Sequence, residues 1–394
     1  MTDATPPSVP PPRERLTRLR VAGFRSIRSL DLDLPSDPDR RDLTILIGAN
    51  GSGKSNLLSV FTLLSFIASD ALQVYVQRRG GGSSVLRYGP KVTPRLAVQL
   101  TFKGPDRWSS YEFELEWGAP DRLYFARERV SFQRDGAPQP FTRDLGAGHT
   151  ESLLPGLAAH DNLLGQVARI FLRRLKDVRA YHFHDTSETS SLRRAQDTHR
   201  SRHLLNHGGN LAAFLYMLQE QHPAHFNRIL DTVREIMPYV RGLILAPDPL
   251  SPGNILLRWR DADPDYEFGP HQLSDGGLRT IALVTALMQP EDLLPAVITV
   301  DEPELGLHPA AVGAIASLLK AAAHKRQVLV ATQSTRLLAE FAPEDVVVVR
   351  RDEDDLGRGE TCFERLSRER IGAWLDDYDL GQLYDMNVTG GGPQ

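Results

Sequence analysis

Gly48-Ala49-Asn50-Gly51-Ser52-Gly53-Lys54-Ser55 is the segment of this chain that decides its fold. It has the pattern G-x-x-x-x-G-K-S and lies between an apolar, β-branched run at 43–47 and an apolar, helix-like pattern that begins at Asn56. Glycines in such a loop let successive backbone N–H groups point at one anion, and the positive end of the following helix adds to the attraction. The octapeptide therefore predicts a strand–loop–helix unit that binds the phosphates of a nucleoside triphosphate.

The residues of this phosphate loop have separate predicted roles. The backbone of residues 50–55 and the Lys54 ammonium would neutralise phosphate charge, and the Ser55 hydroxyl would hold Mg²⁺. A chance Gly/Ser loop is the alternative, but all the fixed positions of the pattern and both flanking patterns are present. The predicted nucleotide-binding residues of this segment are Asn50, Gly51, Ser52, Gly53, Lys54, Ser55 and Asn56.

Composition narrows the class of protein. With 394 residues, 41 % of them hydrophobic, the chain can bury one large core or two smaller ones. No apolar run reaches the roughly eighteen residues of a membrane-spanning helix, so we expect no membrane partner. The single cysteine, Cys362, excludes an internal disulfide framework and a cysteine zinc site, which favours the cytoplasm. The net charge of −4 argues against bulk coating of nucleic acid but allows a local basic patch.

A second site is predicted where the apolar run at 296–300 ends in Asp301 and Glu302. An apolar strand that ends in two carboxylates is typical of a Walker B element. Asp301 would hold the metal together with Ser55, and Glu302 would orient or deprotonate the water that attacks the γ-phosphate. The alternative is a buried strand that ends in a solvated acidic turn.

A third anion-binding turn is predicted at residues 273–277, Leu-Ser-Asp-Gly-Gly, which precede an apolar helix pattern. The phosphates of the nucleotide bound to the same chain are already assigned to the loop that contains Lys54. A head-to-tail pair of chains satisfies both turns, because Ser274, Gly276 and Gly277 of one copy would then cap the γ-phosphate held by the other. The turn therefore predicts a homodimer that forms on ATP.

Changes in pattern along the chain divide it into four predicted segments. Period-two apolar runs between residues 95 and 134 indicate an antiparallel sheet, and residues 160–240 are mostly helical in pattern. The predicted segments are a Pro-rich disordered lead (1–15), a lobe with the phosphate loop and a β subdomain (16–150), a mostly helical insertion and second lobe (151–270), and a last segment (271–394) with the Ser274 turn, the Walker B strand, the strand at 327–334 and a C-terminal extension.

The phosphate loop, the Leu-Ser-x-Gly-Gly turn, the strand that ends in Asp-Glu-Pro and the strand that ends in Thr-Gln-Ser resemble, in that order, the ABC-type ATPases. More narrowly, they are similar to the soluble SMC/RecF/OLD-like branch, which includes bacterial AAA-type predicted ATPases. Further pieces that look like this branch lie at 21–27, 181–187, 208–215, 304–309 and 380–384. The implied fold is α/β: a P-loop NTPase, specifically an ABC-type ATPase head, with a mixed sheet core, an antiparallel β subdomain and a helical lobe.

The resemblance also implies roles for two further residues. Arg25 in the opening Gly-Phe-Arg-Ser would contact the nucleotide, with a plain surface arginine as the alternative. Gln333 stands at the switch position, where the family usually has histidine. Glutamine can hydrogen-bond the γ-phosphate or the attacking water but carries no charge, so we expect slow or switch-like turnover. The polar turn at 184–187 stands where a Q-loop is expected but contains no glutamine.

The implied activity is hydrolysis of ATP, with Mg²⁺ as cofactor and Glu302, Lys54 and Gln333 as catalytic residues. By resemblance, such heads serve DNA maintenance or defence against phage, beside a separate nuclease or effector protein. One alternative is the cytoplasmic ATPase subunit of a membrane transporter, which the gap of 220 residues between Lys54 and Ser274 argues against. The other is a non-catalytic, ATP-gated binding module.

Residues 169–203 form a basic segment with nine arginines or lysines against four acids. Such a cluster predicts contacts with a nucleic-acid backbone. The alternative is a solvated helix face with arginines that pair with acids elsewhere. In the same segment His182, His184 and Asp185 could bind a metal, but no further ligand is evident, so a structural or nucleotide-proximal role is favoured.

Overall fold

The structure of the chain, a computed structural model, describes residues 14–35, 41–263, 265–354 and 356–391. Most of the predicted disordered lead, residues 1–13, lies outside the described residues. Arg15, the last residue of that predicted segment, already begins the first β-strand.

The chain divides into two compact units, and each is built from two separate stretches. The first consists of Met1–Ser36 and Asp70–Phe171, and the second of Asp37–Ser69 and Leu172–Gln394. The segments inferred from the sequence were consecutive, whereas here the phosphate loop lies in a stretch of the second unit that interrupts the first. Pairing between strands far apart in sequence produces this arrangement, and local pattern cannot reveal it.

The first unit contains a six-stranded antiparallel sheet. Buried and less buried residues alternate along Arg95–Lys103, which matches the period of a strand with one face in a core. In spatial order, its strands are Ile27–Asp33, Arg15–Phe24, Arg95–Lys103, Arg107–Gly118, Arg122–Arg134 and Phe141–Gly146. Its helices are Leu72–Arg78, Gly82–Val85 and Leu154–Leu157. The antiparallel sheet predicted between residues 95 and 134 is present.

The second unit contains a six-stranded mixed sheet, parallel except for the pair Val346–Glu353 and Gly359–Arg365. All residues of Leu43–Ile47 and of Gln327–Thr332 are buried, as expected for central parallel strands covered on both faces. In spatial order, its strands are Gly359–Arg365, Val346–Glu353, Leu43–Ile47, Gln327–Thr332, Val297–Asp301 and Val178–Tyr181. We call Val297–Asp301 the Walker B strand and Gln327–Thr332 the switch strand.

Helices and short strands complete the second unit around one apolar core. The region at 151–270, predicted to be mostly helical, contains long helices joined by short strands and turns. The α-helices of the unit are Lys54–Ile67, Leu211–Gln221, Pro223–Ile236, Asp275–Leu287, Pro309–Ala323, Thr335–Leu338, Arg368–Ile371 and Leu380–Asp385, and Leu163–Lys176 runs into it from the first unit. Its short strands are Gln196–Asp197, Gly242–Ile244, Pro247–Asp248, Ser251–Ile255 and Arg258–Arg260, and its 3-10 turns are Ser191–Arg193, Pro270–Gln272, Pro343–Asp345 and Gly372–Trp374.

Within the described ranges, the model has no helix that combines the length and the apolar character needed to cross a membrane.

Candidate nucleotide site

The phosphate loop connects the buried strand Leu43–Ile47 to the helix Lys54–Ile67, as the sequence predicts. Gly51 and Gly53 have φ angles of 78° and 107°, in the left-handed region that glycine adopts without strain. A Cβ on Gly48 would clash with the carbonyl oxygen of Val349 in the neighbouring strand. The glycines are therefore required both by the turn itself and by the close approach of the strand beside it.

Lys54 is buried at the first turn of this helix, and its ammonium lies against the loop. Its Nζ donates hydrogen bonds of 2.7 Å to Gly48 O and 2.9 Å to Ala49 O. An ammonium has three N–H donors, so one more is available to a phosphate oxygen. Burial lowers the pKa of Lys54, and the nearby carboxylates, Glu302 first, oppose that shift.

The Walker B strand lies next to the switch strand, with Asp301 paired to Ala331 and the Glu302 N–H donating to Ala331 O at 2.8 Å. Glu302 has a φ of 47°, which is uncommon for a residue other than glycine. Such a conformation costs free energy and persists where the surroundings impose it, often at functional positions. The strand end therefore aims the Glu302 side chain in a direction that an ordinary extended residue would not give.

The chemistry of the predicted metal ligands fits Mg²⁺. Asp301 Oδ1 is buried, and it accepts a hydrogen bond from no residue that the structure describes. A buried carboxylate oxygen without a donor is costly unless a cation meets it. Mg²⁺ is commonly held by one or two protein oxygens together with substrate phosphates, which matches Asp301 and the exposed Ser55.

Glu304, which the sequence interpretation did not assign to the site, joins the Walker B turn to the switch strand. Its Oε1 accepts a hydrogen bond of 2.6 Å from Thr332 Oγ1 and a long one of 3.4 Å from the N–H of Gln333. Gln333 itself is exposed at the end of the switch strand. The one signal in the sequence was a third acid two residues after Glu302, but its partner becomes visible only once the two strands are paired.

Ser274 is the N-cap of the helix Asp275–Leu287, and its Oγ accepts a hydrogen bond of 3.1 Å from Gly277 N. A Cβ on Gly276 would clash with the carbonyl oxygen of Gly306, in the turn after the Walker B strand. Gly277 packs closely as well, since a Cβ there would lie 3.1 Å from the hydroxyl of Tyr239. The two glycines thus allow the Ser274 turn to contact the turn that follows Glu302.

The structure corrects part of the predicted basic segment at 169–203. Arg193 is buried and donates hydrogen bonds to backbone carbonyls of residues 186, 270 and 273 and, at 2.8 Å, to Asp275 Oδ1. It therefore fixes the Ser274 turn and is not available to a nucleic-acid backbone. Burial also lowers the pKa of Arg174 to about 10. Contact of the remaining basic residues with nucleic acid stays a prediction.

Arg279, within the same helix, makes a related connection. Its guanidinium donates to Phe183 O at 3.0 Å, His184 O at 2.8 Å and Leu305 O at 3.3 Å. The polar turn at 184–187 is thereby tied to the helix that carries the Ser274 turn. Within the described part of the chain, no group of three or more His, Cys, Asp or Glu side chains is arranged to hold a metal, so the structure gives no support to a His182–His184–Asp185 site.

The predicted site residues, with the exception of Arg25, all belong to the second compact unit. The phosphate loop, the Walker B acids and Gln333 follow three adjacent parallel strands of one sheet, at their carboxyl ends. Arg25 lies in the first unit at a turn between two strands, with a φ of 52°, and burial lowers its pKa. Its contact with nucleotide stays a prediction.

A family model described as "AAA domain, putative AbiEii toxin, Type IV TA system" matches residues 43–339. This range contains the phosphate loop, the Ser274 turn, the Walker B strand and the switch strand. No curated protein matches the chain by sequence.

Solved structures of SMC head domains match the fold. The Smc head bound to the C-winged-helix domain of ScpA aligns with a TM-score of 0.53 and 16 % identity, over 90 % of this chain and 99 % of that one. An Smc head with an extended coiled coil, bound to the C-terminal domain of ScpA and derived from Pyrococcus furiosus, aligns with a TM-score of 0.54 and 15 % identity, over 93 % and 99 %. The predicted fold, a P-loop ATPase head of the SMC-like type, is confirmed.

Proposed function

Because the chain belongs to the AAA-domain family described as putative AbiEii toxin of type IV toxin–antitoxin systems, we propose that it hydrolyses ATP with Mg²⁺ and that two copies close around the nucleotide. The observation that carries the proposal is the arrangement at one sheet edge. There the phosphate loop, the Walker B acids and Gln333 come at the ends of three adjacent parallel strands, and Asp301 has a buried oxygen to which none of the described residues donates. Ligands of open α/β sheets bind at this carboxyl edge.

The residues of the phosphate loop bind and orient the triphosphate. Backbone N–H groups of residues 50–55 and the remaining Lys54 donor would contact phosphate oxygens, since the other two Lys54 donors already fix the ammonium on the loop. Ser55 and Asp301 would hold Mg²⁺, which when bound supplies positive charge beside the β- and γ-phosphates.

Glu302 and Gln333 would act on the attacking water. Glu302 follows the Walker B strand in its left-handed conformation, where its carboxylate can accept a proton from a water. Gln333 would hydrogen-bond the γ-phosphate or that water, but an amide takes up no proton near neutral pH. This favours slow turnover.

The test of the proposed activity is Mg²⁺-dependent release of phosphate from ATP by the wild type and by Glu302→Gln. Removing the group that takes the proton should lower kcat by about a hundredfold or more, with ATP affinity retained. Glu340→Gln is the matched control. Glu340 is exposed, and its ion pair with Lys320 is long at 3.8 Å and contributes little to stability. A Glu302→Gln protein that turns over ATP at the wild-type rate would show that another group activates the water, and a wild type that binds ATP without cleaving it would favour a binding module.

The dimer is tested at Ser274, where stability and association can be separated. Ser274→Ala removes the cap on Gly277 N and should cost about 1 kcal/mol of unfolding free energy. Ser274→Asp restores a good cap but places a negative charge where the partner's γ-phosphate would lie. Each Ser274 substitution is therefore combined with Glu302→Gln, and the molar mass with ATP is measured by light scattering. We expect the Glu302→Gln protein to be a dimer and both double variants to be monomers. Only Ser274→Ala should lower the unfolding free energy. Dimers that persist in Ser274→Asp would contradict the proposed closure.

A role in DNA maintenance or phage defence is proposed on two grounds, the family description and the SMC-like fold. The described SMC heads bind a ScpA domain, and we propose that this chain likewise acts with a separate protein, an effector or nuclease. The exposed basic residues at 169–203, without Arg193, would contact DNA. Stimulation of the ATPase by DNA that declines steeply with salt would support this contact, and equal stimulation at all salt concentrations would contradict it. A cytoplasmic location is proposed from the single cysteine.

A further inference from the structure

Glu304 is held between the two parts of the site that would act on the attacking water. It follows Glu302 by two residues, and its backbone carbonyl accepts from Leu307 N at 3.0 Å, within the turn after the Walker B strand. We propose that Glu304 is a positioning residue whose carboxylate holds the Thr332–Gln333 end of the switch strand in place relative to Glu302. This inference rests on the proposed function of the site.

The contacts form a short relay through one buried hydroxyl. Thr332 is fully buried, and its Oγ1 donates to Glu304 Oε1 at 2.6 Å while it accepts from Ser334 N at 2.9 Å. The N–H of Gln333 also points to Glu304 Oε1, at 3.4 Å. The three residues that set the direction of the Gln333 side chain, 332–334, are thus fixed to one carboxylate directly or through Thr332.

Two features distinguish this arrangement from an ordinary structural hydrogen bond. Glu304 Oε2 is buried, and no side chain or backbone group of the described residues donates to it. Burial also raises the pKa of the Glu304 carboxyl, and the charge of the Glu302 carboxylate adds to that rise. In a buried carboxylate that only stabilises the fold, both oxygens usually accept hydrogen bonds. Here Oε1 holds the switch strand, and Oε2 is buried with no donor among the described residues.

The experiment compares Glu304→Ala, Glu304→Gln, Thr332→Val and the double variant Glu304→Ala/Thr332→Val. If the relay positions Gln333, Glu304→Ala and Thr332→Val should each lower kcat by about tenfold, with KM within about twofold of the wild type. The double variant should be no slower than either single one, since both remove the same connection. Glu304→Gln should keep most of the rate, because an amide oxygen can still accept from Thr332.

Thr285→Val is the matched control for the loss of a buried hydroxyl. Thr285 is fully buried in the same unit, and its Oγ1 donates to Ile281 O at 2.7 Å within its own helix. Thr285→Val should change the unfolding midpoint by about as much as Thr332→Val does, but its kcat should equal that of the wild type. Effects of Glu304→Ala and Thr332→Val that multiply in the double variant would overturn the relay. A Glu304→Gln protein as slow as Glu304→Ala would also overturn it, because the carboxylate would then act through its charge or its proton.

A second readout does not need turnover. If Gln333 contacts the γ-phosphate, the ratio of affinities for ATPγS and ADP should fall by about fivefold in Glu304→Ala and Thr332→Val and stay unchanged in Thr285→Val. A wild type that binds ATPγS but does not cleave ATP would refute the proposed hydrolysis while this ratio still tests the relay. An unchanged ratio together with an unchanged kcat in Glu304→Ala and Thr332→Val would overturn the relay, and a wild type that binds no nucleotide would overturn both proposals.

Discussion

Glu128 in the antiparallel sheet and Asp301 in the mixed sheet both have buried carboxylate oxygens, but their hydrogen bonding differs. Glu128 has no exposed surface, and both of its oxygens are paired. Oε1 accepts from the hydroxyls of Tyr111, at 2.7 Å, and Ser152, and Oε2 accepts from Leu153 N and pairs with His149 Nε2, both at 3.0 Å. Asp301 Oδ1, in contrast, finds no donor among the described residues.

The difference separates two uses of a buried acid. Around Glu128, every donor comes from the protein itself, so the carboxylate is satisfied by folding alone and fixes the segment 149–153 on the sheet. The burial that this network requires raises the pKa of Tyr111. At Asp301 the described residues leave one buried oxygen without a donor. Such an oxygen costs stability and is retained where a cation or ligand completes the site. We therefore expect substitutions in the two regions to affect different properties.

The largest effect is expected from Asp301→Asn. Loss of the proposed metal-binding oxygen should lower Mg²⁺-dependent ATP turnover by about a thousandfold, because a bound metal contributes several kcal/mol to the stabilisation of the transition state. The unfolding free energy in urea should stay within about 1 kcal/mol of the wild type, since the substitution removes no hydrogen bond to Oδ1. An Asp301→Asn protein that is strongly destabilised but has normal turnover would show that Asp301 serves the fold and not the site.

The next effect in size is the converse one, at Glu128. Glu128→Gln puts an NH₂ group in place of one carboxylate oxygen, and in this dry site the NH₂ group can face only the two hydroxyls. The hydroxyls of Tyr111 and Ser152 must then accept instead of donate, and all four contacts to a carboxylate become weaker contacts to a neutral amide. We expect a loss of about 3 kcal/mol in unfolding free energy, measured in urea, and unchanged affinity of the folded protein for ATP.

Glu116→Gln in the same sheet is the control for Glu128. Its side chain is 45 % exposed and pairs with Arg95 at 3.1 Å, an ion pair of the kind that contributes little. It should change the unfolding free energy by less than about 0.5 kcal/mol. Equal losses at Glu116 and Glu128 would mean that burial and full pairing do not distinguish them.

Sequence alone located the candidate site where the chemistry is local. The phosphate loop, the Ser274 turn and the acids at 301–302 are each written in consecutive residues, because strand, turn and helix N-terminus must adjoin to bind an anion. The alternation at 95–102 likewise revealed the antiparallel sheet. These features could be predicted because their physical cause lies within a few residues.

Contacts between residues far apart in the chain could not be predicted from the sequence. Glu304 acquires its partner Thr332 only through the alignment of the Walker B and switch strands, and Glu128 acquires its partners from two separate segments, at residue 111 and at residues 149–153. Arg193 was grouped with exposed basic residues because charge patterns do not show burial. The stretch at 37–69 belongs to the second unit although it interrupts the first in sequence, and this division depends on pairing between distant strands, which local pattern does not show. Local pattern reports residue chemistry, whereas tertiary packing decides which groups are satisfied.

The smallest effect is expected at Thr299, within the Walker B strand. Thr299 Oγ1 is buried without a hydrogen-bond partner in the described structure, and unlike the Asp301 carboxylate it is a neutral group. Thr299→Val replaces this hydroxyl with a methyl group of similar size and should raise the unfolding free energy by about 0.5 to 1 kcal/mol, with kcat unchanged. If the substitution instead abolishes turnover, the hydroxyl belongs to the site. In that case, an unpartnered neutral group would indicate function as strongly as the unpartnered oxygen of Asp301.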